Sequence, residues 1–95
     1  MFASIYELQI SNPETKKRII EVIQTETIGL SNDHVVSIIA TPANDTYDFW
    51  IQQPDGRRIT TQLHEDLGEL TPAVLRIRLR ELLKQLWQPK RPFAN

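Results

Sequence analysis

The chain has 95 residues and a mass of 11.0 kDa, is 40% hydrophobic and 24% charged, and carries a formal net charge of −1 with no cysteine. That length supports one modest hydrophobic core and not two, and the missing cysteines exclude disulfides and thiolate metal or redox sites. The densest apolar run, Val35-Val36-Ser37-Ile38-Ile39-Ala40, falls far short of the ~18 residues of a membrane span, so no membrane contact is expected.

The start, from Met1 to Glu7, has no basic stretch and meets an acid at once, so no secretory leader is expected and the setting is read as cytoplasmic. Over residues 2–10, Phe2, Ser4, Tyr6, Leu8 and Ile10 alternate with Ala3, Ile5, Glu7 and Gln9, which suits a half-buried strand. Phe2, Ile5, Tyr6 and Ile10 also sit at roughly helical spacing, so the segment is read as strand with helix as the alternative, pairing either within the chain or onto a neighbour. Asn12 offers a side-chain cap, Pro13 takes the position where a missing N–H costs nothing, and Glu14 suits the positive end of a helix. Ile19, Ile20, Val22, Ile23, Thr27 and Leu30 then recur with helical period up to the helix-closing Gly29, predicting a helix from 13 to about 28.

Val35 to Ala40 is apolar on both faces, as a central strand requires. After a loop at Thr41-Pro42-Ala43-Asn44-Asp45, the residues Tyr47, Phe49 and Ile51 alternate with Asp48, Trp50 and Gln52, placing Trp50 opposite the buried set. Pro54-Asp55-Gly56 predicts a hairpin turn, with Arg58 to Leu63 as the return strand. His64 to Leu70 reads as a loop or a short helical turn. Thr71-Pro72 repeats the cap-then-proline start, and Leu75, Leu79, Leu82, Leu83 and Leu86 form the buried stripe of a second helix from 72 to about 87. Residues 1–88 form a single domain on this reading, and 89–95 a short proline-rich basic tail.

The fold class is therefore α+β in the order (β)αβββα, with an antiparallel sheet of three or four strands and both helices packed on one face. The αβββα order over residues 13–87 is similar to that of the double-stranded-RNA-binding domain. That family grips phosphate through a lysine cluster at the start of its last helix. Here the start is Thr71-Pro72-Ala73-Val74, with the cations a turn later, so the resemblance stops at topology.

The small net charge conceals an asymmetry. Residues 1–70 carry five bases against eleven acids, whereas residues 71–95 carry six bases against Glu81 alone. Such halves arise from a partner-binding segment or from a basic helix lying on its own acidic body. Arg76, Arg80 and Lys84 lie at i, i+4 and i+8, with Trp87 near the same line. Like charges at that spacing repel by roughly 0.2–0.5 kcal/mol per pair. Acid must therefore lie nearby: the protein's own (Glu65, Asp66 and Glu69 are candidates), a phosphate backbone, or a protein partner. Extended by Lys90 and Arg91, this stripe is the candidate nucleic-acid surface, with Trp87 placed to stack on a base. A sequence pI of about 6.1 argues against a dedicated nucleic-acid binder.

Ile77 lies almost opposite the leucine stripe and Val74 lies off it. With outward-facing Trp50 they form the candidate partner or dimer surface, unless the N-terminal segment or the tail with Phe93 covers them. Chemistry is thinly represented. His64-Glu65-Asp66 has the residue types of an acid/base or metal site, yet His34 and His64 are the only histidines, and a catalytic zinc needs three protein ligands. Asp48 with Glu65 is a weak candidate for paired carboxylates. Ser4, Ser11, Ser31 and Ser37 lack the glycine context of a nucleophile elbow, and Gly29, Gly56 and Gly68 are too scattered for a phosphate loop. No catalytic residue, metal or cofactor is expected. The sequence favours a non-enzymatic interaction or regulatory domain that self-associates or binds another protein; the alternative is a nucleic-acid-binding module.

Overall fold

A computed structural model describes residues 1–41 and 45–87, with the backbone alone at Trp87. The elements are β1 (Ser4–Leu8), α1 (Pro13–Glu26), β2 (Val35–Ala40), β3 (Thr46–Gln52), β4 (Arg58–His64) and α2 (Pro72–Trp87), with a single 3₁₀ turn at Glu65–Leu67 before α2. The strands form one sheet in the order β1-β2-β3-β4, so β2 is central as its apolar faces require. The α+β class and the β-α-β-β-β-α order stand as read. The tail at 89–95, with Lys90, Arg91 and Phe93, and residues 42–44 of the loop lie outside the described residues.

One expectation needs correcting: the sheet is mixed rather than antiparallel. β2, β3 and β4 form an antiparallel meander, but β1 pairs parallel to β2 within the same chain. The cause is connectivity. α1 lies between β1 and β2, and a helix crossover returns the chain in the same direction, whereas a short turn reverses it.

The ambiguity of residues 2–10 also has a physical origin. Ser4 pairs with Val35 and Ile5 with Val36, but Glu7 then pairs with Ser37 and Leu8 with Ile38, so the register slips at Tyr6. This bulge puts Ile5 and Leu8, three residues apart, on one face of a strand whose normal period is two. Ala3, Leu8 and Ile10 are buried as a result.

Both helices start as their sequences dictate. Asn12 Oδ1 accepts hydrogen bonds from the N–H groups of Glu14 and Thr15, both at 3.0 Å, and Thr71 Oγ1 accepts from the Val74 N–H at 3.3 Å. Ile19 and Ile23 of α1 and Leu75, Leu79, Leu82 and Leu83 of α2 pack on Val36, Ile38, Phe49, Ile51 and Leu63, which all lie on one face of the sheet. Thr27, at the end of α1, is wholly buried yet satisfied: its hydroxyl donates to the Ile23 carbonyl at 2.7 Å and accepts from the Ala3 N–H at 3.1 Å. That contact ties the N-terminal segment to α1. The other sheet face, carrying Ser4, Tyr6, Glu7, Val35, Ser37, Ile39, Asp48, Trp50, Gln52, Arg58, Thr60 and Gln62, receives neither helix. Among the described residues, no helix is long and apolar enough to cross a membrane.

Candidate interaction surfaces

The cationic stripe of α2 is bound to the protein's own acid, but not the acid the sequence suggested. Arg80 donates from Nε and Nη2 to the two carboxylate oxygens of Glu26, at 2.8 and 3.1 Å, and Arg76 Nε lies 3.5 Å from the same carboxylate. The hydrogen bond from Arg80 is the main cause holding the Glu26 carboxyl below its usual range; partial burial opposes it, and the charges of Arg80 and Arg76 reinforce it. Glu65 and Asp66 take no part in this cluster. Glu65 instead accepts from the Tyr47 hydroxyl at 3.1 Å. Glu69 binds the one arginine of α2 that faces β4: Arg78 reaches Glu69 at 2.9 Å and Thr61 Oγ1 at 3.2 Å.

Glu26 escaped the sequence reading, although a signal for it exists. An acid in the last turn of a helix faces the negative end of the dipole and is unfavourable there unless a cation answers it. Lys84 shares with Glu26, Arg80 and Leu83 the lining of a shallow hollow of about 290 Å³. The side chain of Trp87, and Lys90 and Arg91, the remaining members of the nucleic-acid stripe, lie outside the described residues.

Trp50 lies on the helix-free sheet face as expected, but it is only 9% exposed. The Arg58 guanidinium carbon sits 4.0 Å from the ring centroid, within cation–π range, and Arg58 Nε donates to Gln52 Oε1 at 2.8 Å, which holds the lid in place. Tyr6, Val35, Trp50, Gln52 and Arg58 line a second shallow hollow of about 290 Å³. The aromatic group this face offers to solvent is Tyr6, 73% exposed. Its displacement at the β1 bulge is what the simple alternation could not register. Ser37, the cross-strand partner of Trp50, is fully buried on this same face, with its hydroxyl unpaired among the described residues.

Ile77 is 58% exposed on the outer side of α2 and Val74 is half-buried. They do not share a surface with Trp50: α2 packs on the Phe49 and Ile51 face, and Trp50 points the other way. The notion of one apolar patch joining the three residues is corrected accordingly.

β4 forms one lateral edge of the sheet. Gln53 N–H donates to the Arg57 carbonyl and Glu65 N–H to the Asp45 carbonyl, each at 2.8 Å, at the two ends of the β3–β4 ladder. Antiparallel pairing alternates by twos, so Ile59, Thr61 and Leu63 turn their backbone groups toward β3, and Arg58, Thr60 and Gln62 turn theirs outward. At His64 the outward groups are taken by Glu69: its Oε1 accepts from the His64 N–H at 2.8 Å and its own N–H donates to the His64 carbonyl at 3.1 Å. The His64 N–H donating to the carboxylate is the main cause lowering the Glu69 carboxyl from its usual range, with Arg78 adding to it. Among the described residues nothing answers the outward groups of Arg58, Thr60 and Gln62.

Among the described residues, no group of three or more His, Cys, Asp or Glu is placed to hold a metal ion. Comparison of the chain with protein-family models, curated proteins and solved structures finds no significant match.

Proposed function

We propose that this chain is a non-enzymatic protein-interaction domain that works as a homodimer in the cytoplasm and makes its contacts with the sheet. The observation that carries the reading is the one-sided architecture: two helices cover one face of a four-stranded sheet, and the other face, with Tyr6, Val35 and the lidded Trp50, carries none. That face holds Glu7 and Asp48 on β1 and β3 and Arg58 on β4, a mixed-charge surface for a protein partner, while the open β4 edge of the same sheet suits an isologous contact between identical copies. The commitment of Arg76 and Arg80 to Glu26 weighs against α2 as a phosphate grip, because each counterion-releasing contact would first have to break an internal pair.

The test pairs light scattering over a concentration series with fluorescence anisotropy on labelled single- and double-stranded DNA and RNA at low and near-physiological salt. The expected result is a mass rising toward twice 11.0 kDa with no saturable nucleic-acid binding. A mass fixed at 11.0 kDa overturns the homodimer. Saturable binding that weakens steeply with salt would make α2 the working surface instead.

A further inference from the structure

We propose that the homodimer forms by antiparallel pairing of β4 with β4 of a second copy, centred on Thr60, which joins the two sheets edge to edge. This rests on the homodimer reading and names the surface that would produce it. Among the described residues, the outward backbone groups of Arg58, Thr60 and Gln62 on the β4 edge are left unanswered. With the two-fold axis at Thr60, Thr60 meets Thr60 of the second copy and Arg58 meets Gln62 of the second copy, so all three residues gain partners at once.

The ends of the strand select this register. A slide toward His64 would need backbone groups that Glu69 already occupies. A slide the other way, centred on Arg58, would set two arginines directly opposite each other, which cross-strand pairing disfavours. Over Arg58–His64, β4 has no proline, lysine or bulge of the kind that keeps sheet edges apart, and only its His64 end is covered. The opposite edge, β1, is shorter and bulged at Tyr6. A second copy is favoured over an unrelated extended peptide because the strand is complementary to itself, with its single charge, Arg58, set opposite a neutral amide.

The experiment measures the mass of the full chain by light scattering and the exchange of its backbone amides, over a concentration series. The Thr60 and Gln62 amides are expected to slow in exchange as the mass doubles. Thr60→Pro removes an outward N–H without touching the β3 ladder, and is expected to give a monomer with unchanged far-UV circular dichroism. Gln62→Lys, at an exposed position, sets a lysine against Arg58 of the second copy and is expected to shift the protein to monomer; Arg58→Glu in that background is expected to restore the dimer. Tyr6→Glu, on the helix-free face, should leave the mass unchanged. A dimer that survives Thr60→Pro and Gln62→Lys but is lost in Tyr6→Glu overturns the edge pairing and leaves the homodimer reading standing. A protein that stays monomeric throughout overturns both.

Discussion

Arg80 and Glu26 form a two-pronged ion pair between α2 and the last turn of α1, 54 positions apart in the chain. The Glu26 side chain is only 13% exposed, while Arg80 keeps most of its surface in water. The pair is thus anchored on the acid side, and it answers both the charge of α2 and the dipole of α1.

Replacing this carboxylate has two expected consequences. Glu26→Gln keeps the volume and removes the charge, so Arg76 and Arg80 lose their partner. Urea unfolding should show a loss of roughly 1 kcal/mol or less, the scale of a partly exposed pair. The same variant should acquire salt-sensitive binding to duplex DNA at low salt that the parent lacks, because two cations become free. Unchanged stability together with unchanged DNA binding would mean that the pair holds nothing in solution.

Acid should weaken the fold through the same groups. Glu26 and Glu69 both have folded-state pKa values below the ordinary 4.5. The unfolded chain therefore takes up protons first as the pH falls, and proton uptake favours unfolding. Their contribution is complete above about pH 4.5 and disappears as the pH drops through the lower folded values. Urea midpoints measured from pH 7 to pH 3 should decline at the acid end, and less steeply in Glu26→Gln. An identical slope in the two proteins would remove Glu26 from the account.

The Arg58 lid should be visible by fluorescence. In a Trp87→Phe background Trp50 alone reports, and Arg58→Ala should shift its emission to longer wavelength as water reaches the indole. The accompanying loss of stability should be about 0.5–1 kcal/mol, as for a cation–π contact near the surface. An emission maximum that does not move would show that the guanidinium does not shield the ring.

Ser37 offers a test of opposite sign. Its hydroxyl is buried without a partner among the described residues, and such a group carries its desolvation cost uncompensated. Ser37→Ala should raise stability by about 1 kcal/mol, read from thermal or urea midpoints. A drop instead would reveal a hydrogen bond to the hydroxyl.

The elements that the sequence made legible are those whose signals are local. Asn12-Pro13 and Thr71-Pro72 mark both helix starts, Pro54-Asp55-Gly56 marks the hairpin, and the doubly apolar Val35–Ala40 run marks the central strand. Gly56, at φ +93°, takes the left-handed position the turn demanded. What stayed hidden depends on contacts across the chain. The parallel pairing of β1 follows from a crossover, and the bulge at Tyr6 scrambles the very periodicity used to find strands. Glu26 belongs to the α2 stripe only because two helices meet. The Trp50 face could be named but not its lid, since Arg58 reaches the indole across the β3–β4 hairpin.

The parallel placement of β1 also bears on how the molecule assembles. β2, β3 and β4 are joined by short connections and can zip together locally, whereas β1 is separated from β2 by residues 9–34, including the whole of α1. Closing that larger loop carries a greater entropic cost, and the contacts that offset it exist only once α1 has somewhere to dock. The connectivity thus favours an order of events in which the meander forms first and the N-terminal strand is added last. In the finished fold the Thr27 hydroxyl, accepting from the Ala3 N–H, holds the start of that late-added strand against the end of α1.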